Sequence, residues 1–375
     1  MAIPKNAFKT REEAEKILEE IRGERFAIVE EVKKSLKKTP PPPLYNLNAL
    51  QKDANKLFGF SAQKTLNIAQ SLYEKHKIIS YPRTESRYLA TSNKKLVEEI
   101  LRLLGREDLI PKIQRVGKRV FDDSKLTDHH AIIPLKPPPQ NLTSDERKVY
   151  ELIQKRFFAV FMDEYISEIV RAILRVKRYH FLAQGKRDIS LGWKELYREE
   201  EKELPLPPLK KGDRVEIENL FIEEKKTEPP PRYTEGSLIA LMEKLGLGTP
   251  ATRASIIETL KQRGYIFTSK KNLIPTEKAF ELMKHLGSLE IADVSLTSKW
   301  EKGLENIHLR KVGKKGYNFF MEKIRDFVKN QIETLKNVEL EAPPVALQRE
   351  KGAKKTKGKK GRGKKAKGKR NGIKS

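Results

Sequence analysis

The run Ile78-Ile79-Ser80-Tyr81-Pro82-Arg83-Thr84-Glu85-Ser86 sets a phenol two residues from a guanidinium in a short, stiff piece of chain. A phenol, with a pKa of about 10, is a poor nucleophile at neutral pH unless positive charge or a base favours the phenolate. Arg83 can supply that charge. Residues two apart share one side of a strand, so a strand ending at Tyr81 would aim the Arg83 fork at a phosphate held against the phenol oxygen. Most tyrosines are packing residues, and in isolation this one reads as a buried strand-end ring beside a surface arginine. A second run, Leu126-Thr127-Asp128-His129-His130-Ala131-Ile132-Ile133-Pro134, brings two adjacent histidines. Neighbouring side chains point apart on a helix or a strand, which argues against a metal held by this pair. One of them is a candidate phosphate-binding or proton-handling group, with a structural hydrogen bond as the plainer alternative.

The elements that must position these groups are legible from periodicity and caps. Residues 8–22 predict an amphipathic helix with Thr10 as N-cap and Glu13 closing a capping box, and Phe26–Val32 predicts a strand that Pro40–Pro43 ends. A lone helix and strand make no core, so this piece must pair with later chain or with another molecule. Leu47, Leu50, Ala54 and Leu57 recur at helical spacing with Asn48 and Gln51 as the cap pair; Gly59-Phe60-Ser61 turns the chain into a second helix, which leads into an Ile78–Tyr81 strand. Helix, tight turn, helix, strand outlines a winged helix-turn-helix. Helices follow at Leu96–Leu104 and over 144–165, then strands at Ile169–Val176, Tyr179–Ala183 and Val215–Ile222 that could complete the first sheet. Past Pro229–Pro231 the helix-turn-helix grammar returns: Thr234 caps one helix, Gly246-Leu247-Gly248 turns, Thr249-Pro250-Ala251-Thr252 opens the next, and two short strands flank Lys270-Lys271 as a wing. Helices over 279–286, 300–307 and 317–335 end the folded part.

Composition bounds the partner. Lys and Arg number 78 against 51 Asp and Glu, a net charge of +27, which points to nucleic acid. Residues 351–375 hold 13 of the basic side chains and no acidic one, so this Gly/Lys/Ala tail is expected to be a disordered phosphate-binding extension. With no cysteine, thiolate catalysis, disulfides and cysteine-based zinc ribbons are excluded. No apolar run approaches a membrane span and no signal-peptide core opens the chain, so an intracellular, nucleoid-associated protein is expected. A content of 34% charged residues with no cysteine also resembles hyperthermophile composition.

Three separated runs resemble the type IA DNA topoisomerases in order and context: Ile79–Ser86, Asp128–Pro134, and Pro230-Pro231-Arg232-Tyr233-Thr234-Glu235-Gly236-Ser237 followed by Gly248-Thr249-Pro250-Ala251-Thr252-Arg253-Ala254-Ser255. The resemblance covers roughly residues 8–340. It implies that Tyr81 attacks a DNA phosphate and becomes joined to the 5′ end of the broken strand, that Arg83 holds the scissile phosphate and that His129 helps position it. His130 stands where bacterial relatives are often acidic. Thr252 and the start of its helix match contacts to the single-stranded DNA backbone; Thr249 replaces the arginine, and Arg253 the tyrosine, of bacterial enzymes, as in the archaeal and topoisomerase III branches. Arg232, Lys270 and Lys271 near these runs, and Lys354, Lys355, Lys359 and Lys360 in the tail, complete the expected DNA-binding set. The implied fold is an α+β multidomain torus fragment with two winged-helix-like units: residues 1–45 with 146–225 form a β arch, 46–145 the tyrosine-bearing helix-turn-helix domain, 226–345 a helical DNA-binding domain and 346–375 the tail. A phosphotyrosyl ester conserves the energy of the broken bond, so resealing needs no ATP. The nearest approach to a phosphate-binding loop, Gly358 to Lys365, lacks Ser or Thr after the lysine. Full-length members also carry an acidic Asp-x-Asp cluster for Mg²⁺, and no Asp-x-Asp occurs here. The expectation is that a separate chain supplies Mg²⁺ and its domain, as in the small subunit of a two-chain reverse gyrase or a split simpler topoisomerase. The competing expectation is a non-cleaving accessory protein that grips single-stranded DNA; Tyr81, Arg83 and His129 together favour the enzyme.

Overall fold

The computed structural model describes residues 2–4, 8, 10–126, 128–197, 205–309 and 311–336. The tail, with Lys354, Lys355, Lys359 and Lys360, lies outside the described residues.

The first helix and strand find their partners more than a hundred residues later. Helix α1 (Arg11–Ile21) starts at Thr10, whose hydroxyl accepts from the Glu13 amide. Strand β2 (Phe26–Thr39) runs antiparallel to β3 (Tyr165–Val176), which turns through Lys177, at φ +53°, into β4 (Tyr179–Ser190). With β1 (Ala2–Pro4) on β4 and β5 (Arg214–Glu216) on β2, the sheet order is β1-β4-β3-β2-β5. Its core is confined to one end, where Ile21, Ala27, Val29, Ala172, Leu174 and Val176 meet. The far half of β2 is largely exposed, so the sheet continues as a ribbon. The strand expected over 215–222 is cut to three residues. Glu216 already pairs with Phe26, the first residue of β2, and the ladder ends with its template.

Four helices enclose two apolar cores around residues 44–162: α2 (Leu47–Phe58), α3 (Ala62–Glu74), α4 (Lys94–Leu103) and α5 (Ser144–Ala159). Asn46 caps α2 by accepting from the Ala49 amide at 2.9 Å; Asn48 and Gln51, expected as the cap pair, are buried at 2% and 0% exposure. Residues 78–81 do not form a strand. Ile79 makes a single antiparallel bridge to Pro134, because the facing segment is too short to build a ladder. Along that segment Ile132 enters one core while Ala131 and Ile133 enter the other, the alternation of extended backbone. Helix α5, placed with the arch by its position in the sequence, sends Val149, Tyr150 and Ile153 into one of these cores and Phe157 and Phe158 into the other.

Between arch and cores the chain passes through Pro40–Pro43. Prolines have no N–H to offer, but their carbonyls are caught by long side chains. Trp193 Nε1 donates to Thr39 O at 3.0 Å, Arg119 Nη1 to Pro41 O at 3.5 Å and Arg156 Nη1 to Pro43 O at 3.1 Å. Arg156 also reaches the Tyr45 hydroxyl and Asp53, over the face of the Tyr45 ring. Trp193 follows Gly192, whose φ is +49° and where a Cβ would collide with the Glu164 carbonyl, so only glycine brings the indole there.

The second helix-turn-helix is α6 (Glu235–Lys244) and α7 (Pro250–Gln262), followed by the hairpin β6 (Ile266–Ser269) and β7 (Asn272–Pro275). Its small core of Ile239, Met242, Ala254 and Ile257 closes over Ala62 at the start of α3. Helix α6 lies against α2 at backbone range: a Cβ on Gly236 would stand 3.0 Å from Lys52 Cα. Helices α8 (Glu277–Leu286), α9 (Val294–His308) and α10 (Lys314–Lys336) bury little, and Phe280, Met283, Tyr317 and Phe319 are exposed.

Candidate active site

Helix α3 is the bench on which the site is built. Its first turn is fixed twice: the Ser61 hydroxyl accepts from the Lys64 amide, and the Glu235 carboxylate of α6 accepts from the Ala62 amide at 2.8 Å. Glu235 is itself buried and paired with Lys261. At the other end the chain reverses through Lys77, at φ +55°, and the Ile78 amide donates to Leu72 O. The reversal carries residues 80–84 back past the last turn of α3.

Two hydroxyls staple that returning segment to the histidine run. Buried Ser80 donates to Ala131 O at 3.0 Å and accepts from the Ile133 amide at 2.9 Å, and its own amide donates to Ile133 O. Buried Thr84 donates to His129 O at 3.2 Å and accepts from the Ser86 amide, while its carbonyl accepts from the first amide of α2. Tyr81 and Arg83 lie between or beside these anchors. A staple is needed here because an isolated bridge fixes far less than a ladder would.

The half-buried Tyr81 ring is held from two sides. Tyr73 on α3 meets it edge-on with centroids 5.5 Å apart, and exposed His129 lies against it at 4.3 Å and 43°. Arg83 Nη2 donates to Gln70 Oε1 at 3.1 Å, and Gln70 Nε2 donates to Glu74 Oε1 at 3.3 Å. Gln70, Tyr73 and Glu74 stand three and four apart, on one face of α3. That shared face, and not the strand alternation expected from sequence, brings the phenol and the guanidinium together. Among the described residues Arg83 makes no ion pair, so its charge is left for an anion. His130 has turned away, its Nδ1 2.8 Å from Ala131 O.

The second set of candidates is more mixed. Arg232, Lys270 and Lys271 are exposed, and Lys271 Nζ reaches Lys56 O at the end of α2. Thr249 and Thr252 cap α7 reciprocally, with the Thr249 amide donating to the Thr252 hydroxyl at 2.8 Å. Arg253 is 4% exposed: Nε donates to Leu247 O and Nη2 to Gly248 O, both at 2.9 Å, and Glu85 stands 3.8 Å away. Its burial takes it out of solvent and makes it a clasp between the α6–α7 turn and the Tyr81 segment. Asn46 and Arg87 add to that junction by meeting Glu243 of α6. Sequence reasoning missed Gln70, Tyr73, Ser80 and Thr84. The spacing of Gln70, Tyr73 and Glu74 just before the tyrosine was the available signal.

Among the described residues no group of three or more His, Asp or Glu side chains could hold a metal ion, so the residues present do not fit an Mg²⁺ site. No described helix is long and apolar enough to cross a membrane.

Comparison with known proteins identifies the family. A sequence model of the DNA topoisomerase family matches residues 2–318. DNA topoisomerase 3 of Bacillus licheniformis is 35% identical over 346 residues, covering 83% of this chain and 47% of that protein. The Bacillus subtilis enzyme of the same name is 34% identical, covering 86% and 49%. The structure of full-length topoisomerase I from Thermotoga maritima superposes with a TM-score of 0.69 at 32% identity, over 87% of this chain and 56% of that one. The chain thus spans about half the length of the curated relatives it matches. With a tyrosine segment stapled between α3 and the histidine run, and a family match over most of its length, the chain belongs to the type IA DNA topoisomerases.

Proposed function

We propose that the chain carries the strand-cleaving tyrosine of a DNA topoisomerase reaction, with Tyr81 as nucleophile. The observation that carries this is that Tyr73 and Gln70, on one face of α3, contact Tyr81 and Arg83, while His129, from a run some fifty residues away, lies against the Tyr81 ring. In the step proposed, Tyr81 Oη forms a bond to a phosphorus of a DNA strand as the bond from that phosphorus to the 3′ oxygen breaks. The phenol loses its proton, the departing 3′ oxygen gains one, and the 5′ end stays on Tyr81. Resealing runs the same exchange backwards, so the number of phosphoester bonds is unchanged and no nucleotide is consumed. Arg83 binds the phosphate and offsets the charge that builds on its oxygens. His129 holds the phenol ring and positions the phosphate.

The substrate proposed is DNA in single-stranded form, within the cell, held by exposed basic groups such as Arg232, Lys270 and Lys271; the net charge of +27 supports this. No step is routed through Mg²⁺ here. The acidic portion that binds it is proposed to be supplied by a separate chain, since the described residues hold no group of side chains able to bind the ion.

The test is a covalent trap. Denaturing the chain, mixed with the metal-binding portion, during reaction with a labelled oligonucleotide should leave the 5′ end on Tyr81, as read by mass spectrometry of the nuclease-trimmed adduct. Tyr81→Phe, which removes one oxygen, should abolish the adduct and leave DNA affinity unchanged. An adduct on any other residue, or one that survives Tyr81→Phe, sinks the proposal.

A further inference from the structure

Arg83 is oriented by an amide where a carboxylate would bind it more tightly. Gln70 Oε1 accepts from Arg83 Nη2 at 3.1 Å, and Gln70 Nε2 donates to Glu74 Oε1 at 3.3 Å. A carboxylate only accepts, so Glu74 fixes which end of the amide faces it and turns the amide oxygen toward Arg83. Glu74 lies one helical turn beyond Gln70 and is exposed, so its charge is partly screened where it stands. The relay Glu74, Gln70, Arg83 therefore passes on direction without setting a negative charge against the guanidinium.

Taking the proposed strand cleavage as given, we infer that Gln70 is a positioning residue, which holds the Arg83 fork toward the Tyr81 side of α3 while leaving its charge unneutralised for the DNA phosphate. The chemistry explains the residue type. A glutamate at position 70 would keep the acceptor and the shape, but it would pair with Arg83 and repel the incoming phosphate. An alanine would free the fork, and the cost would be lost orientation alone.

The two substitutions therefore separate this role from ordinary packing. For a merely structural glutamine, the isosteric glutamate is the milder change. For the positioning role it is the harsher one. The experiment uses the full chain and has two readouts. The first is the rate of Tyr81 adduct formation on a single-stranded oligonucleotide, with the metal-binding portion supplied. The second is the rate at which phenylglyoxal modifies Arg83, followed by peptide mass spectrometry, which needs no DNA chemistry. Gln70→Glu should slow the adduct about 10–100-fold by placing an anion against the site, and Gln70→Ala about 3–10-fold. Gln70→Glu should also slow phenylglyoxal modification of Arg83, which an ion pair shields. Wild-type adduct rates in Gln70→Glu, or a larger loss in Gln70→Ala, overturn the inference. If the unmodified chain forms no Tyr81 adduct, the proposed activity itself fails, and the modification arm still decides the contact: unchanged Arg83 reactivity in Gln70→Glu overturns it, slowed reactivity supports it.

Discussion

The two helix-turn-helix units share a grammar and differ in how the chain leaves them. In each, a first helix ends at glycine, a short turn leads to a hydroxyl cap, and a second helix packs across the first. The units also lie on one another, α2 along α6 and α3 beside α7. After α7 the chain folds back on itself as the β6–β7 hairpin, a wing whose strands pair with each other and which rests on its own unit through Ile266 and through the Leu273 amide, a donor to Tyr233 O at 2.7 Å. After α3 it has no such partner, and residues 78–84 are completed by a segment some fifty positions away. The first unit thus depends on distant chain for its exit, and Tyr81, the nucleophile proposed above, is placed in the part so completed. A wing paired strand to strand suits binding, whereas a segment anchored on both sides suits a group that must be aimed.

The largest effect expected from breaking this arrangement is at buried Glu235, which joins the units by capping α3 from α6 and pairing with the partly buried Lys261. Glu235→Ala leaves the Lys261 ammonium without its partner and should lower unfolding free energy by about 3–5 kcal/mol. Denaturant titration would show it, and a loss near zero would mean that the units stand independently.

Acid tests the first unit at the foot of α3. Ser71 donates to Glu146 at 2.7 Å, Thr143 donates through amide and hydroxyl, and buried His76 lies 3.3 Å away. These bonds, the one from Ser71 foremost, hold the Glu146 carboxyl down at about 2. A depressed carboxylate stabilises the fold above its unfolded value of about 4.5 and loses that contribution as pH falls toward 2. The window should carry about 3 kcal/mol, and Glu146→Gln should flatten the fall in stability between pH 5 and 2. Equal acid slopes in the two proteins would remove Glu146 from the account.

Ser80→Ala sharpens the contrast by removing the staple and nothing else. It leaves Ile133 N–H and Ala131 O without the side-chain partner and should cost about 2 kcal/mol, with slower Tyr81 adduct formation. The matching change in the second unit is far milder. Lys270, at φ +56°, stands first in the two-residue turn of the wing, a left-handed position that glycine adopts freely. Lys270→Gly should stabilise the hairpin by less than about 1 kcal/mol and lower the salt slope of single-stranded DNA binding by about 0.7, the contribution of one phosphate contact. An unchanged slope would take Lys270 off the DNA.

Most elements of both units were legible in the sequence because their signals are local. Thr10 and Thr234 cap the helices they were expected to cap, since a hydroxyl and an amide three residues on need no help from elsewhere. The failures mark non-local control. Asn48 was preferred as a cap, yet Asn46 takes the role and Asn48 is buried where α2 is covered by the rest of the fold, a context no window of α2 contains. Ile78–Tyr81 looks like a strand from its β-branched residues, but a strand exists only with a partner long enough to pair. Arg253 was expected at the DNA from its place in the motif resembling the family's, and its burial among Leu247, Gly248 and Glu85 was invisible without the turn closed. Tyr81 and Arg83 stood out from their own residue types. The face of α3 that aligns them, bearing Gln70 and Tyr73, only acquires meaning once the chain has doubled back.

The four prolines between arch and cores have a mechanical consequence. Thr39, Pro41 and Pro43 are each gripped by a different side chain, from the arch end, from the loop before the histidine run and from α5. In the proposed reaction, a strand of DNA joined to Tyr81 would pull on this neck. With no amides to trade and three carbonyls clasped, the neck has little slack to yield, and the load passes into β2 and β3. The compliant part of the molecule is then the half of the ribbon next to the neck, where β2 is largely exposed and no core stiffens it. The prolines act as an axle, and the sheet acts as the spring.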